Sequence, residues 1–250
     1  MTNKRTAYQK LIEAAKSSYP KNGLVWCDDC EEINLWTYWQ GRGNLDAKIM
    51  LVGQDWGDPQ DKSSAQVMDQ IRRMNRHEAA NYMDSNPSVT DRRLAGLFRL
   101  LGYDILKDSP QNKNLFFTNF VLGYRRGNIS RNAQREWFLS DEPFFKGLVQ
   151  IIRPEVILCL GRSTFEAVLH TFHFALRAQI KSYNRFITSP QNPVQITLKD
   201  GQTFFVFALA HCGALGTMNR NRGLPYNEDP LVYQKKDWLR ISNFTAAGDN

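Results

Sequence analysis

The sequence is poor in the features that would narrow its class at once. It has 4 cysteines in 250 residues, too few for the disulfide scaffold of a small secreted domain. Its 4 histidines include no pair at a metal-ligand spacing. His170 and His173 fall three apart on one helix face, where packing explains them as well. No apolar run approaches the roughly 18–20 residues of a membrane span. Met1 to Tyr8 carry charge with no apolar stretch behind them, so no secretory signal is expected. There is no internal repeat and no low-complexity linker. These absences lead us to expect a cytoplasmic protein with no membrane partner.

What the chain does have is a 42% hydrophobic composition, enough for a real core in a length that suits one large domain. We expect a single domain over residues 1–242 and a loose tail over 243–250. The net charge of +7 favours an anionic partner such as nucleic acid, a hint that many basic proteins share without that role.

Short apolar runs, each ended by a turn signal, supply the strands. Ile49-Met50-Leu51-Val52-Gly53 is too short for a helix and is apolar throughout, the mark of a strand buried on both faces. Leu115 to Val121 and Val156 to Leu160 read the same way. Val194 to Leu198 and Thr203 to Leu209 flank Asp200-Gly201, a hairpin signal. Helical spacing marks residues 6–18, 63–74 and 90–101, with Thr90 or Asp91 as the cap of the last. Asp141 with Pro143 predicts a further helix start, and Ser163 with Glu166 matches a capping box. Residues 181–193 read as loop, and Asp229-Pro230 opens a last helix through Leu239. Strands alternating with helices predict a three-layer α/β/α sandwich. Its centre is a mostly parallel four-stranded sheet with an antiparallel edge hairpin.

Three polar residues stand at the ends of strongly apolar runs: Asp55, Asn119 and His211. In open α/β sheets ligands bind beyond the carboxyl ends of the strands. A carboxylate, an amide and an imidazole there can orient water, read a ring edge and stabilise an anion. Each alone has a plainer reading, as a helix cap, a loop anchor or a satisfied strand-end histidine.

These stretches resemble the uracil-DNA glycosylase superfamily. Gly53-Gln54-Asp55 is similar to the start of its Gly-Gln-Asp-Pro-Tyr-His motif, and Gly53 to Gly57 to the Gly-Glu-Ala-Pro-Gly motif of the iron–sulfur branch, with Trp56 in place of Pro. Phe117-Thr118-Asn119-Phe120-Val121 resembles Ile-Thr-Asn-Val-Val. Residues 153–163 are similar to the Pro-x-Val-Ile-x-x-Leu-Gly strand and turn, and Ala210 to Leu215 falls where the family carries His-Pro-Ser-x-Leu. The order matches, across residues 48 to about 222.

The resemblance implies a DNA glycosylase that hydrolyses the N-glycosidic bond of uracil, or of another deaminated or damaged base flipped out of single- or double-stranded DNA. It implies Asp55 and His211 as catalytic residues. Gly53, Gln54 and Asn119 would hold the base, with Trp56, Gly57 and Tyr82 around it. Leu215 would be the wedge that fills the gap left by the base. Gly161, Ser163, Arg125, Arg126, Arg220 and Arg222 would face the DNA backbone. A solvated basic surface is the plainer reading of the arginines. Gly57 stands where the best-known branch has a Tyr that blocks the thymine methyl, so a wider base such as hypoxanthine or xanthine is also expected to fit. A monomer is expected. A non-catalytic nucleic-acid binder and a nucleoside hydrolase are the alternatives, and the wedge and arginines weigh against the second.

Cys27-Asp28-Asp29-Cys30 has the spacing of a metal knuckle, and the iron–sulfur branch carries such a pair. Its other two cysteines fall near Gly123 and Trp137 in this chain, and neither position is Cys. The expectation is no metal and no cofactor, with Cys27 and Cys30 as the residual candidates for a cluster or zinc.

Overall fold

The computed structural model describes residues 4–27, 29, 31, 44–55, 69, 72, 88–107, 109–126, 134–174 and 180–248. Its centre is a 5-stranded sheet. The strands are β1 (Ile49–Gly53), β2 (Leu115–Asn119), β3 (Val156–Leu160), β4 (Val194–Thr197) and β5 (Thr203–Leu209). Their order is β2-β1-β3-β5-β4. The first four are mutually parallel and β4 pairs antiparallel to β5 at the edge. The expected sandwich, with four parallel strands and an edge hairpin, is the fold observed.

Chemistry explains the difference between the centre and the edge. β2 and β3 are buried at every position, as strands covered on both faces must be. Edge strand β4 alternates, with Val194 and Ile196 inward and Gln195 and Thr197 outward. The hairpin turns at Gly201, whose φ of +83° suits a residue without a Cβ.

One face of the sheet is covered by α1 (Lys4–Ser17), α3 (Arg135–Ile152), α4 (Arg162–Thr171) and the short α5 (Tyr183–Ile187). The other is covered by α2 (Val89–Arg99) and α7 (Val232–Gly248). Here Phe98 sits between Phe117 of the sheet and Trp238 of α7, with ring centroids 5.1 and 5.0 Å away. Removing such a buried ring costs about 3–5 kcal/mol. A sixth helix, α6 (Ala214–Asn221), follows β5 and rests against α7. None of the described helices is long and apolar enough to cross a membrane.

Several boundaries differ from the sequence pattern. Ser88, not Thr90 or Asp91, caps α2, and Asp91 closes a reciprocal capping box with it. Ser163 does not cap α4. Gly161 does, at a φ of +98°, and Glu166 instead accepts from Arg162 at 2.7 Å. The short α5 lies within 181–193, expected as loop, because Phe186 and Ile187 bury themselves in the core. α7 continues past Leu239 to Gly248, through the expected tail, as Ile241 and Phe244 extend its apolar face.

The largest difference is α3, which begins at Arg135 and carries Pro143 inside it. Pro143 gives up one helical hydrogen bond, but tertiary contacts hold the turns before it. Trp137 Nε1–H donates to the Asn22 carbonyl at 2.8 Å. Asp141, expected as a helix cap, is fully buried. Its carboxylate accepts from the Leu122 N–H at 2.7 Å, from the Tyr19 hydroxyl, and pairs with Lys21 at 2.5 Å. Burial, then the Asp141 charge, pushes the Tyr19 pKa far up, so the phenol stays a donor.

The expected helix over 63–74 lies outside the described residues, apart from Asp69 and Arg72. Trp36, Tyr38 and Trp39 of the sequence also lie outside them.

Candidate active site

The carboxyl ends of β1 and β2 are in register, Gly53 opposite Asn119. A Cβ on Gly53 would fall 2.2 Å from the Asn119 Oδ1, so any side chain here would push that amide out of its position. Pairing continues past the strands: Phe120 N–H donates to the Gly53 carbonyl at 2.9 Å and Val121 N–H to that of Gln54 at 3.0 Å. Asn119 is buried. Its side-chain amide has no hydrogen-bond partner among the described residues. An amide at a strand edge has two donors and an acceptor to offer a ligand.

Asp55 stands two residues past β1. Its Oδ1 accepts from Gln54 Nε2 at 3.1 Å and its Oδ2 from an Arg125 Nη at 2.9 Å. Arg125 is itself fixed from two sides. Its guanidinium lies 5.0 Å from the Trp137 ring centroid, within range of a cation–π contact. Next to it, Tyr124 exchanges two backbone hydrogen bonds with Val25, at 2.9 and 3.0 Å. A cavity of about 640 Å³ opens beside this pair, lined by Lys21, Arg125, Arg126, Gln134 and Trp137 among others.

His211 follows β5. Its Nδ1 accepts the Gly213 N–H at 2.9 Å, so in the neutral ring the proton sits on Nε2. His211 is exposed, yet enough protein packs around the ring to desolvate it in part. That desolvation lowers the His211 pKa, with the Asp55 charge opposing. The imidazole is therefore neutral at pH 7, with Nε2–H as its donor. The loop is tightly folded: Gln234 Nε2 donates to the His211 carbonyl at 3.1 Å. A Cβ on Gly216 would sit 2.1 Å from that same oxygen.

No family model matches the chain. No curated protein matches it either.

Of the residues expected at the site, Gly53, Gln54, Asp55, Asn119 and His211 lie at the carboxyl edge of the sheet, and Asp55 is near enough for its charge to act on His211. Trp56, Gly57 and Tyr82 lie outside the described residues. Arg125, expected on phosphate, holds Asp55 instead. Arg220 is not a surface cation at all. It is buried and forks onto Asp237 at 2.6 and 2.8 Å. Arg126 and Arg222 are exposed, and Leu215 protrudes from the first turn of α6. Ser163 lines a separate cavity of about 150 Å³ with Phe120, Glu142 and His170.

Sequence reasoning missed Trp137 and the Arg125–Asp55 pair. Nothing local signals either, because the partners are brought together by folding alone.

Among the described residues the cysteines do not come together. Cys159 packs on one face of the sheet and Cys212 on the other. Burial pushes the Cys212 thiol up to about 12 and that of Cys159 well above its ordinary value, so neither offers a thiolate. Cys27 is buried, and Cys30 lies outside the described residues. Among the described residues no three His, Cys, Asp or Glu side chains form a metal-binding group.

Proposed function

We propose that this protein is a DNA glycosylase of the uracil-DNA glycosylase superfamily type, acting without a redox cofactor on uracil or another deaminated or damaged base. The observation that carries the reading is the set at the sheet edge: an unspent Asn119 amide, a held Asp55 carboxylate and a His211 ring whose donor is fixed at Nε2.

In this reading the base leaves the DNA stack and enters the site. Asn119 pairs its amide with the hydrogen-bonding edge of the base. The C1′–N bond breaks heterolytically, and its electron pair leaves with the base. His211 Nε2–H donates to the base oxygen where negative charge develops. A neutral donor suits this task, since it stabilises the anion without having first to lose a proton. Asp55 stabilises the cationic sugar and orients the water that attacks C1′. A carboxylate has about four lone-pair positions, so the two hydrogen bonds it already accepts leave it capacity. The proton released by the water balances the charge on the departing base. Leu215 is the wedge, and Arg126 and Arg222 are placed to meet phosphate.

A second reading is a nucleic-acid binder without catalysis. The Arg125 contact favours it, because one oxygen of the proposed catalytic carboxylate is already occupied.

Cleavage assays separate the two. Single- and double-stranded oligonucleotides carrying one uracil, hypoxanthine, xanthine or hydroxymethyluracil are incubated with the protein and treated with alkali. Strand breaks are expected on at least one of them. Asp55→Asn and His211→Ala each lower the rate about a hundredfold or more with binding largely kept. No breaks on any substrate leave the binding reading standing.

A further inference from the structure

Helix α6 has two unlike faces. On one, Thr217 Oγ1 donates to Gln234 Oε1 of α7 at 2.9 Å, and Arg220 grips Asp237. Gly216 presses on the His211 carbonyl. This face is clamped to the body of the protein. On the other, Leu215 and Met218, one turn apart, are 64% and 56% exposed. Beyond the helix the chain is tied back at three points. Leu224 N–H donates to the Asn221 carbonyl at 3.0 Å, Asn221 Nδ2 to the Pro230 carbonyl at 2.9 Å and the Tyr233 hydroxyl to the Pro225 carbonyl at 2.7 Å. From this held loop Tyr226 projects 91% exposed.

Burying an apolar side chain gains about 1.5–3 kcal/mol, so a run of such residues left in water on a clamped support calls for an occupant. Two cations lie on the same elements, Arg222 at the C-cap of α6 and Lys236 on α7, against which α6 rests. Among the described residues Arg222 bonds only the Asn219 amide oxygen, at 3.0 Å, and Lys236 lies 5.4 Å from the Tyr233 ring centroid. Neither has a carboxylate partner among the described residues.

We propose that this ridge is a stacking rail for a single nucleic-acid strand, with Met218 and Tyr226 receiving unpaired bases beyond Leu215, and Arg222 and Lys236 meeting phosphates. Apolar faces interleaved with unpaired cations fit a polyanion that carries flat rings. A duplex fits less well. Its bases are already stacked, and one wedge is all it can receive, whereas an aromatic ring as open as Tyr226 needs a base face that is free. The inference deepens the glycosylase reading by naming single-stranded DNA as the preferred polymer.

The test is fluorescence anisotropy with a labelled oligothymidylate and with a fully paired duplex of equal length. Tyr226→Ser and Met218→Ser are each expected to weaken binding of the single strand about tenfold, and to leave the duplex within about twofold. Tyr226→Phe keeps the ring and binds as the unaltered protein does. Tyr226 is at the surface, so its variants fold, and equal melting temperatures check this. The rail is overturned if the oligothymidylate does not bind, if Tyr226→Ser leaves its affinity unchanged, or if the duplex weakens equally. These outcomes are independent of catalysis. Loss of single-strand binding with no base excision leaves the rail and removes the glycosylase. Excision with Tyr226 silent does the reverse.

Discussion

The protein holds two Asp–Arg pairs that look alike on paper and differ in what they leave over. Asp237 and Arg220 join α7 to α6 through two short hydrogen bonds, with 3% and 5% of the side chains exposed. Asp55 and Arg125 meet through one contact at 2.9 Å, with 12% and 17% exposed. The fork-to-fork pair locks both carboxylate oxygens onto one guanidinium in a buried setting. Asp55 accepts one bond at each oxygen, from Gln54 and from Arg125, and is more exposed than Asp237, so acceptor positions remain within reach of a ligand. The first pair builds the molecule, and in the proposed reading the second holds a group in place for use.

Breaking the buried pair has the largest expected effect. Burial raises the Asp237 pKa, and the Arg220 hydrogen bonds and charge pull it only part of the way back. Desolvation thus outweighs the attraction, and the contribution lies in geometry more than in net stability. Arg220→Ala strands the carboxylate, and urea denaturation is expected to show a loss of about 3–5 kcal/mol. Replacing both partners, as Arg220→Met with Asp237→Leu, is expected to recover most of that loss. A double variant as unstable as the single one would show that the pair itself, and not the stranded charge, carries the stability.

Why the sequence misplaced Arg220 follows from this geometry. Arg220 and Arg222 are two residues apart in a basic stretch, and nothing local says that one meets Asp237 and the other meets water. The strands were legible because a strand covered on both faces has to be apolar throughout, and the ends of β1, β2 and β5 then located Asp55, Asn119 and His211. The start of α3 was not legible. Asp141 and Pro143 carry a strong local signal, and it is overridden by Trp137 on Asn22 and by the Leu122, Tyr19 and Lys21 contacts to Asp141. The Arg125–Asp55 pair is hidden for the same reason: its specificity comes from Trp137, which belongs to a turn the pattern did not assign to the helix.

Breaking the open pair is expected to cost less in stability and more in rate. Arg125→Ala loses a partly exposed contact, worth about 1 kcal/mol or less. Freed from the guanidinium, the Asp55 carboxylate samples more orientations, and kcat is expected to fall about tenfold to a hundredfold with KM within about twofold. Arg125→Lys restores the charge without the planar contact to Trp137 and falls between the two. A rise in kcat on removing Arg125 would reverse the comparison and make the pair a brake on Asp55.

The smallest effect concerns His211, which responds to Asp55 across the site. Its pKa is lowered in the folded protein, so the unfolded chain takes up its proton at a higher pH. The stability held by the neutral ring is therefore fully present above the ordinary histidine pKa of about 6.5 and is lost as pH falls through the lower folded value. The physical event is local. Protonation puts a hydrogen on Nδ1, which can then no longer accept the Gly213 N–H. Melting temperatures taken from pH 8 down to pH 5 are expected to decline slightly more for the native protein than for His211→Asn. Cleavage, if limited by the same loop, is expected to fall in the same window. Removing the opposing charge sharpens the test. In Asp55→Asn the carboxylate no longer favours the imidazolium, so the decline is expected to start at the same pH and extend to still lower pH. A decline that extends no lower than before would show that Asp55 and His211 do not share one electrostatic site.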